Sequence, residues 1–328
     1  MAGSASLRAI IEKLPPFRPR LPWLGGDLQT MRNFLVKPKP PIENWPAEAI
    51  AFDMADGTGD RLHGLLHRPS EERPFSARPR PLALLIHGIG GSRESAYIRT
   101  TAVHLLRAGY PVLRLNLRGA GERPGTTKQF YHAGRTEDLK QVIGSLDGNL
   151  AAQGVVPIGF SLGGNLVLKY LAECGALAPV MAAITVSASI DLDAAQRRIA
   201  AARNRIYHRE ILKWVMSERE TRNLPREIRT LLAFDDHFVA PINGFKDARE
   251  YYRHSSAGPM LGEIRRPTLL IHAGDDPWIP AASYRGIAPN PNVVSLIPKS
   301  GGHVGFHAAG TDVPWHDTAL TTFIGAMG

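Results

Sequence analysis

Six short apolar runs punctuate the chain: LALLIHG (82–88), YPVLRLNLRG (110–119), GVVPIGF (154–160), VMAAITVSA (180–188), PTLLIHAG (267–274) and NVVSLIPK (292–299). Runs of this kind are the pattern of strands buried on both faces of a parallel sheet. Helical stretches stand between and after them, at ESAYIRTTAVHLLRAG (94–109), TEDLKQVIGSL (136–146), GGNLVLKYLAEC (163–174) and WHDTALTTFIGAM (315–327). Two further strands flank the turn ADGTGD within 47–68. Strands alternating with helices predict an α/β fold, a mostly parallel central sheet flanked by helices.

The alternation pauses between Ile190 and about Ile264, where the chain is charged and helix-like (AAQRRIAAARNRIYHREILKWVMSERE). A helical insertion at 191–264 fits a cap over the carboxyl edge of the sheet, where such sheets place their sites. Residues 46–190 and 265–328 then form the core domain, and the Pro-rich, irregular residues 1–45 an arm packed on it. The Pro-rich stretch RPSEERPFSARPRP (68–81) reads as a loop.

With 328 residues, 44% of them hydrophobic, the chain suffices for one large α/β domain with insertions. A single cysteine, Cys174, excludes an intrachain disulfide framework, favours a reducing compartment and reads as a buried structural thiol. No run reaches the roughly 18 apolar residues of a membrane helix. The N-terminus is broken by charges and prolines and lacks a signal peptide's apolar segment, so a cytoplasmic location is expected. The net charge of +9 is spread without zinc-finger or helix-turn-helix patterns. No nucleic acid is expected, and the basic surface leaves open only weak peripheral membrane association. The oligomeric state is left open.

Gly159-Phe160-Ser161-Leu162-Gly163 is a G-x-S-x-G between a strand and a helix, the context of a nucleophile elbow. The serine there takes a strained backbone, and a Cβ two residues either side would clash where strand and helix approach. An oxyanion hole is expected from the N–H groups of Ile89, in HGIGG (87–91), and of Leu162. His87 reads as a loop-packing residue. The base and acid should follow in the order Ser, Asp, His. His303, in SGGHVGFH (300–307) directly after a strand, is the candidate base, with His307 as runner-up. Asp276, opening DPWIP after the preceding strand, is the candidate acid, with Asp275 read as a turn residue and Asp191 as a further possibility. His303 would take and return the proton, and Asp276 would fix its tautomer. No HExxH or paired ligands call for a metal, and no cofactor is expected.

These blocks resemble the α/β-hydrolase fold and, more narrowly, its YheT-like branch, the AB hydrolase 4 family. PWLGGDLQT (22–30), HGIGGSRESAYIR (87–99), LNLRGAGERPGTTKQFYHAGRTEDL (115–139), GFSLGGNLVLKYL (159–171) and SGGHVGF (300–306) carry the likeness, which covers nearly the whole chain. FDDHFVAPINGFKDAREYYRHSS (234–256) is similar to the branch's cap segment. The resemblance implies Ser161, Asp276 and His303 as the charge-relay residues and carboxylic ester hydrolysis as the activity. Some members of the family are implicated in acyl transfer to alcohols, and others act on lipids. Arg118, Tyr131 and His132 match family blocks and are expected to brace loops.

The expected function is therefore a serine carboxylic-ester hydrolase acting through an acyl-enzyme, on short- to medium-chain acyl esters. An acyltransferase or a lipid or phospholipid hydrolase would use the same triad. A non-catalytic binding protein is disfavoured by the intact set of nucleophile, acid, base and oxyanion loop. Within a helix at 204–216, Tyr207, Ile211, Trp214 and Val215 share one face, with Arg205, Arg209 and Lys213 nearly opposite. That apolar stripe either anchors the cap or lines the acyl pocket, with Trp214, Tyr207 and Ile211 as pocket candidates.

Overall fold

The computed structural model describes residues 4–69, 79–121, 127–217 and 228–327. Eight strands form one sheet: β1 (Ala47–Asp53), β2 (Arg61–His67), β3 (Leu82–Ile86), β4 (Val112–Leu115), β5 (Val155–Phe160), β6 (Ala183–Val186), β7 (Thr268–Ile271) and β8 (Val293–Leu296). Their spatial order is β1-β2-β4-β3-β5-β6-β7-β8. Only the β1–β2 and β2–β4 pairings are antiparallel. Every residue of β3 to β7 is buried, which is why those strands read as unbroken apolar runs. The edge strands β1 and β8 are partly exposed.

Nine helices of eight or more residues occur among the described residues: α1 (Ser4–Ile11), α2 (Gly25–Val36), α3 (Ala96–Arg107), α4 (Thr136–Gly144), α5 (Leu162–Cys174), α6 (Leu192–Ala200), α7 (Arg205–Ser217), α8 (Ala248–Ser255) and α9 (Trp315–Gly325). They cover both faces, because side chains alternate along each strand. Leu84 and Ile86 face a core shared with α4 and α5, through Leu139, Val142 and Leu166. Ala83 and Leu85 face the opposite core, with Leu7, Leu105 and Phe323 of α1, α3 and α9.

The chain passes from β3 to β4 on one side and then returns to lay β5 on the other side of β3. Ile86 stands opposite Gly159 in that pairing, so the carboxyl ends of β3 and β5 lie side by side. A reversal of strand order opens a crevice at this edge. Several apolar runs extend past their strands, and the residues that leave the ladder there, such as His87, Ser187 and His272, are buried.

The N-terminal segment departs from the irregular arm expected. It holds two helices, with the prolines of KLPPFRPRLPWL (13–24) placed between them as punctuation. Cys174 is half-buried at the end of α5 rather than fully buried, and burial pushes its thiol pKa up. No strand occurs in 191–264 among the described residues, while 218–220 of the helix-like stretch and 70–78 of the Pro-rich loop lie outside them. Also among the described residues, no helix is long and apolar enough to cross a membrane.

Candidate active site

Ser161 sits between β5 and α5 with φ 53° and ψ −118°. A non-glycine residue in this region carries about 1–3 kcal/mol of strain and persists only where its surroundings hold it. Its N–H donates to Val186 O at 2.9 Å, and its carbonyl accepts from Gly164 and Asn165 at 2.9 and 3.1 Å. Backbone packs directly on backbone here: a Cβ on Gly159 would collide with the carbonyl of Gly163, and one on Gly163 with that of His87. The flanking glycines are thus a steric requirement of the junction.

His303 lies in the loop after β8, where Gly302, Val304 and Phe306 have φ of 62°, 54° and 50°. Its Nε2 is 2.9 Å from Ser161 Oγ and its Nδ1 is 2.9 Å from Asp276 Oδ2. An ionised carboxylate only accepts, so Nδ1 carries the proton and Nε2 is left to accept from the serine hydroxyl. The indole of Trp278 stacks on the imidazole at 4.3 Å between centroids. Thr30 Oγ1 accepts from the His303 N–H at 2.8 Å, and Ser187 Oγ from the Val304 N–H at 3.1 Å.

Asp276 is buried, and its Oδ1 accepts from the N–H groups of Trp278 and Ile279 at 2.8 and 2.9 Å. Burial by itself would raise this carboxyl. The charge and hydrogen bond of His303, with the backbone donors, outweigh it and hold the pKa below the ordinary value.

The other candidates have different partners. Asp275 Oδ1 accepts from the Gly302 N–H at 3.0 Å, bracing the histidine loop. Asp191 caps α6, accepting from the Ala194 N–H at 3.0 Å. His307 faces Arg32, its Nδ1 3.3 Å from Nη1, and its backbone N–H donates to Gln29 Oε1. Burial and the charges of Arg32 and Arg20 push its pKa down to about 3. His87 is fully buried, donates from Nδ1 to Gly88 O at 2.8 Å and accepts at Nε2 from the Leu117 N–H. Burial lowers it to about 4, so it stays neutral as a loop-packing residue.

In the 87–91 loop, Gly88 N–H donates to Tyr97 Oη and Gly90 N–H to Tyr131 Oη, both at 2.9 Å. Gly91 N–H donates to Gly88 O at 3.2 Å. The N–H groups of Ile89 and Leu162 make no hydrogen bond among the described residues. Tyr131 and Tyr97 therefore hold the glycine loop in shape. Arg118, buried among Asp56, Asp60 and Asp138, braces the neighbouring loops.

A cavity of about 240 Å³ opens at Ser161 and His303, with Ile89, Trp214, Trp278 and Phe34 in its walls. Larger clefts, of about 590 Å³ beside Tyr284 and about 880 Å³ beside Arg249, do not include Ser161. Trp214 thus faces the cavity. Tyr207 does not line it: its ring packs edge-on against Trp278 at 5.5 Å and its hydroxyl meets Asp27 Oδ1 at 3.1 Å. Ile211 does not line it either and is fully buried in the core. No group of three metal-ligating side chains occurs among the described residues.

Sequence reasoning missed the contribution of α2. Thr30, Asn33 and Phe34 line the cavity, and Phe34 stacks on Trp214 at 5.2 Å. Trp278 is visible inside DPWIP, two residues after Asp276, but its stacking on His303 depends on two distant loops meeting.

Residues 83–315 match the sequence model of the Alpha/beta hydrolase family. The chain is 32% identical over 252 residues to YheT of Escherichia coli (strain K12), a candidate esterase by name, covering 72% of this chain and 73% of YheT. It is 29% identical over 280 residues to the monoacylglycerol lipase of Saccharomyces cerevisiae (strain ATCC 204508 / S288c), covering 79% of this chain and 62% of the lipase. The Pyrococcus furiosus esterase Pf2001 shares the fold, with a TM-score of 0.60 at 18% identity over 96% of this chain and 98% of that one.

Proposed function

This chain belongs to the alpha/beta hydrolase family and is a serine hydrolase of the carboxylesterase-like kind, and from that premise we propose that it cleaves carboxylic esters through an acyl group carried on Ser161. The observation that carries this reading is the unbroken chain Ser161 Oγ–His303 Nε2, His303 Nδ1–Asp276 Oδ2, both links at 2.9 Å, opening on a mainly apolar cavity.

On this reading the Ser161 oxygen attacks the ester carbonyl carbon while His303 Nε2 takes its proton. The carbonyl oxygen becomes an oxyanion and accepts from the N–H groups of Ile89 and Leu162, which have no partner to give up among the described residues. The dipole of α5 adds to that stabilisation. Asp276 holds the imidazole in its tautomer and stabilises the imidazolium. Collapse expels the alcohol, protonated by His303. Water then repeats the sequence on the acyl-serine and releases the acid.

The cavity is smaller than the roughly 300–1,000 Å³ of drug-sized ligand pockets, which favours short- to medium-chain acyl groups. In this reading residues 191–264 act as a cap, with Trp214 as the acyl-pocket wall and Tyr207 and Ile211 as its support. Lipid-like esters fall within the same class, in keeping with the name of the yeast relative. Transfer to an alcohol would use the same residues. The apolar walls beside Ser161 favour keeping it as a second reading, since an alcohol could replace water on the acyl-serine.

The test is Ser161→Ala with a panel of p-nitrophenyl esters from acetate to palmitate, with and without added alcohol. Hydrolysis should fall by about 10³- to 10⁶-fold with the fold retained. A fluorophosphonate probe should label Ser161 alone. Labelling that survives the substitution would move the nucleophile elsewhere.

A further inference from the structure

Helix α2 is amphipathic the wrong way round. Its protein-facing side is Gly26, Gln29, Thr30 and Asn33, the first three buried. Gln29 Nε2 donates to Trp23 O and His307 O, Thr30 receives the His303 N–H, and a Cβ on Gly26 would collide with Asp275 O. This small, polar face locks onto the histidine loop. At about 100° per residue, Leu28, Met31 and Leu35 fall within about 60° of one another on the opposite side. Leu24, Leu28 and Leu35 are 48%, 44% and 61% exposed. Of the exposed large hydrophobic residues, Leu21, Leu24, Leu28, Phe34, Leu35 and Val36 all fall in this one segment, so the patch is not scatter.

The patch is continuous with the mouth of the cavity, because Phe34 belongs to both. Asp27 joins α2 to α7 through a hydrogen bond from Tyr207, and pairs with Arg203 just before that helix. The solvent-facing side of α7, turned away from Tyr207, carries Ile206, 68% exposed, with Arg209 and Lys213. Lys37 and Lys39 are exposed just beyond the end of α2. The acidic residues here are neutralised locally, Asp27 by Arg203 and Glu210 by Lys213 and Arg209. An apolar stripe bordered by net positive charge is the signature of a helix lying in the interface of an anionic bilayer.

We propose that α2 and the outer face of α7 dock the protein on anionic lipid surfaces, with the cavity mouth turned toward the bilayer so that membrane-dissolved esters reach Ser161. The docking stands on the surface alone; the delivery of ester rests on the hydrolase reading above. A second copy of the chain is the competing occupant, but it would bring the same positive charge against Arg209, Lys213, Lys37 and Lys39, whereas anionic headgroups complement it.

The experiment compares the wild type with Leu28→Glu/Leu35→Glu, both positions exposed and outside the cavity wall. Three readings are taken: sedimentation with vesicles of equal parts phosphatidylglycerol and phosphatidylcholine, hydrolysis of soluble p-nitrophenyl butyrate, and mass in solution by light scattering. Wild-type protein should bind the vesicles, less so in high salt and less so to pure phosphatidylcholine. The double variant should lose at least about tenfold in vesicle affinity. Its butyrate hydrolysis should stay within about twofold, as expected of surface changes away from the site. Unchanged vesicle binding, or a wild-type dimer that the double variant dissociates, would overturn the docking proposal. Vesicle binding lost as expected in a protein that cleaves no ester would leave docking standing and sink the hydrolase reading instead.

Discussion

Two buried carboxylates, each beside a histidine, end in opposite states. Asp276 lies under His303 at the carboxyl edge of the sheet; Asp317 lies beside His316 in α9, packed against α3. Both are removed from water, and burial disfavours a charge on either. Asp276 accepts from Trp278 N–H, Ile279 N–H and His303 Nδ1, and its pKa is held down. Asp317 accepts from Thr101 Oγ1 at 2.6 Å, while its Oδ2 has no partner among the described residues. His316 Nε2 is 3.3 Å from Asp317 Oδ1 but makes no hydrogen bond to it. Burial therefore wins: Asp317 is pushed up to about 7, and His316 down to about 3 by burial and the nearby His307 and His104. A charge is kept in the interior by a histidine and backbone donors hydrogen-bonded to it, not by a histidine that is merely close.

The largest test of this contrast is Asp276→Asn. If the ionised carboxylate orients His303, kcat should fall by about 10⁴, the size of tautomer loss in a serine triad. The fluorophosphonate labelling rate of Ser161 should fall in parallel. A variant within tenfold of the wild type would show that the carboxylate charge does not matter to the reaction.

Asp317→Asn should act on stability instead. The folded pKa of about 7 lies above the ordinary aspartate value of about 3.9. Between those values the native state holds a proton that the unfolded chain has lost, so the wild type loses stability as pH rises through that window. The amide removes the effect. Thermal unfolding should show Asp317→Asn gaining on the wild type by on the order of 1–3 kcal/mol at pH 8 relative to pH 4. Asp276, with its pKa depressed, contributes in the opposite sense: its stabilisation is present above the ordinary value and is lost as pH falls through the folded one. A pH-independent difference between Asp317→Asn and the wild type would mean that this carboxyl is not raised.

Thr101→Val is the smallest and sharpest change. It deletes the side-chain hydrogen bond that lowers Asp317. The loss should be about 1 kcal/mol greater at pH 8, where the carboxylate needs the donor, than at pH 4. Equal losses at the two pH values would show that Asp317 stays neutral throughout.

The parts of the candidate site that were legible in the sequence are those governed by local rules. Ser161, Asp276 and His303 each fall in the turn or loop that follows an apolar run, and strands of a parallel sheet deliver the residues after them to its carboxyl edge. Gly159 and Gly163 announce a crowded junction. The opposite holds for α2. There Leu28 and Leu35 are exposed while Gln29 and Thr30 are buried, the reverse of what side-chain polarity alone implies. Composition cannot reveal this, because the buried polar groups are satisfied by partners almost 280 positions away, as in the Gln29–His307 bonds.

By itself, then, the sequence determined the alternation that makes a mostly parallel sheet, the strained Ser161 turn and the order in which an acid and a histidine could follow it. These are consequences of periodicity, of glycine sterics and of strands ending where burial ends. Only the tertiary structure decided that Asp276 rather than Asp191 meets His303, that Asp191 caps a helix, and that Thr30, Phe34 and Trp278 close around the serine. Those choices depend on which loops the strand order brings together and on which carboxylate finds enough donors, and neither is encoded within any one segment of chain.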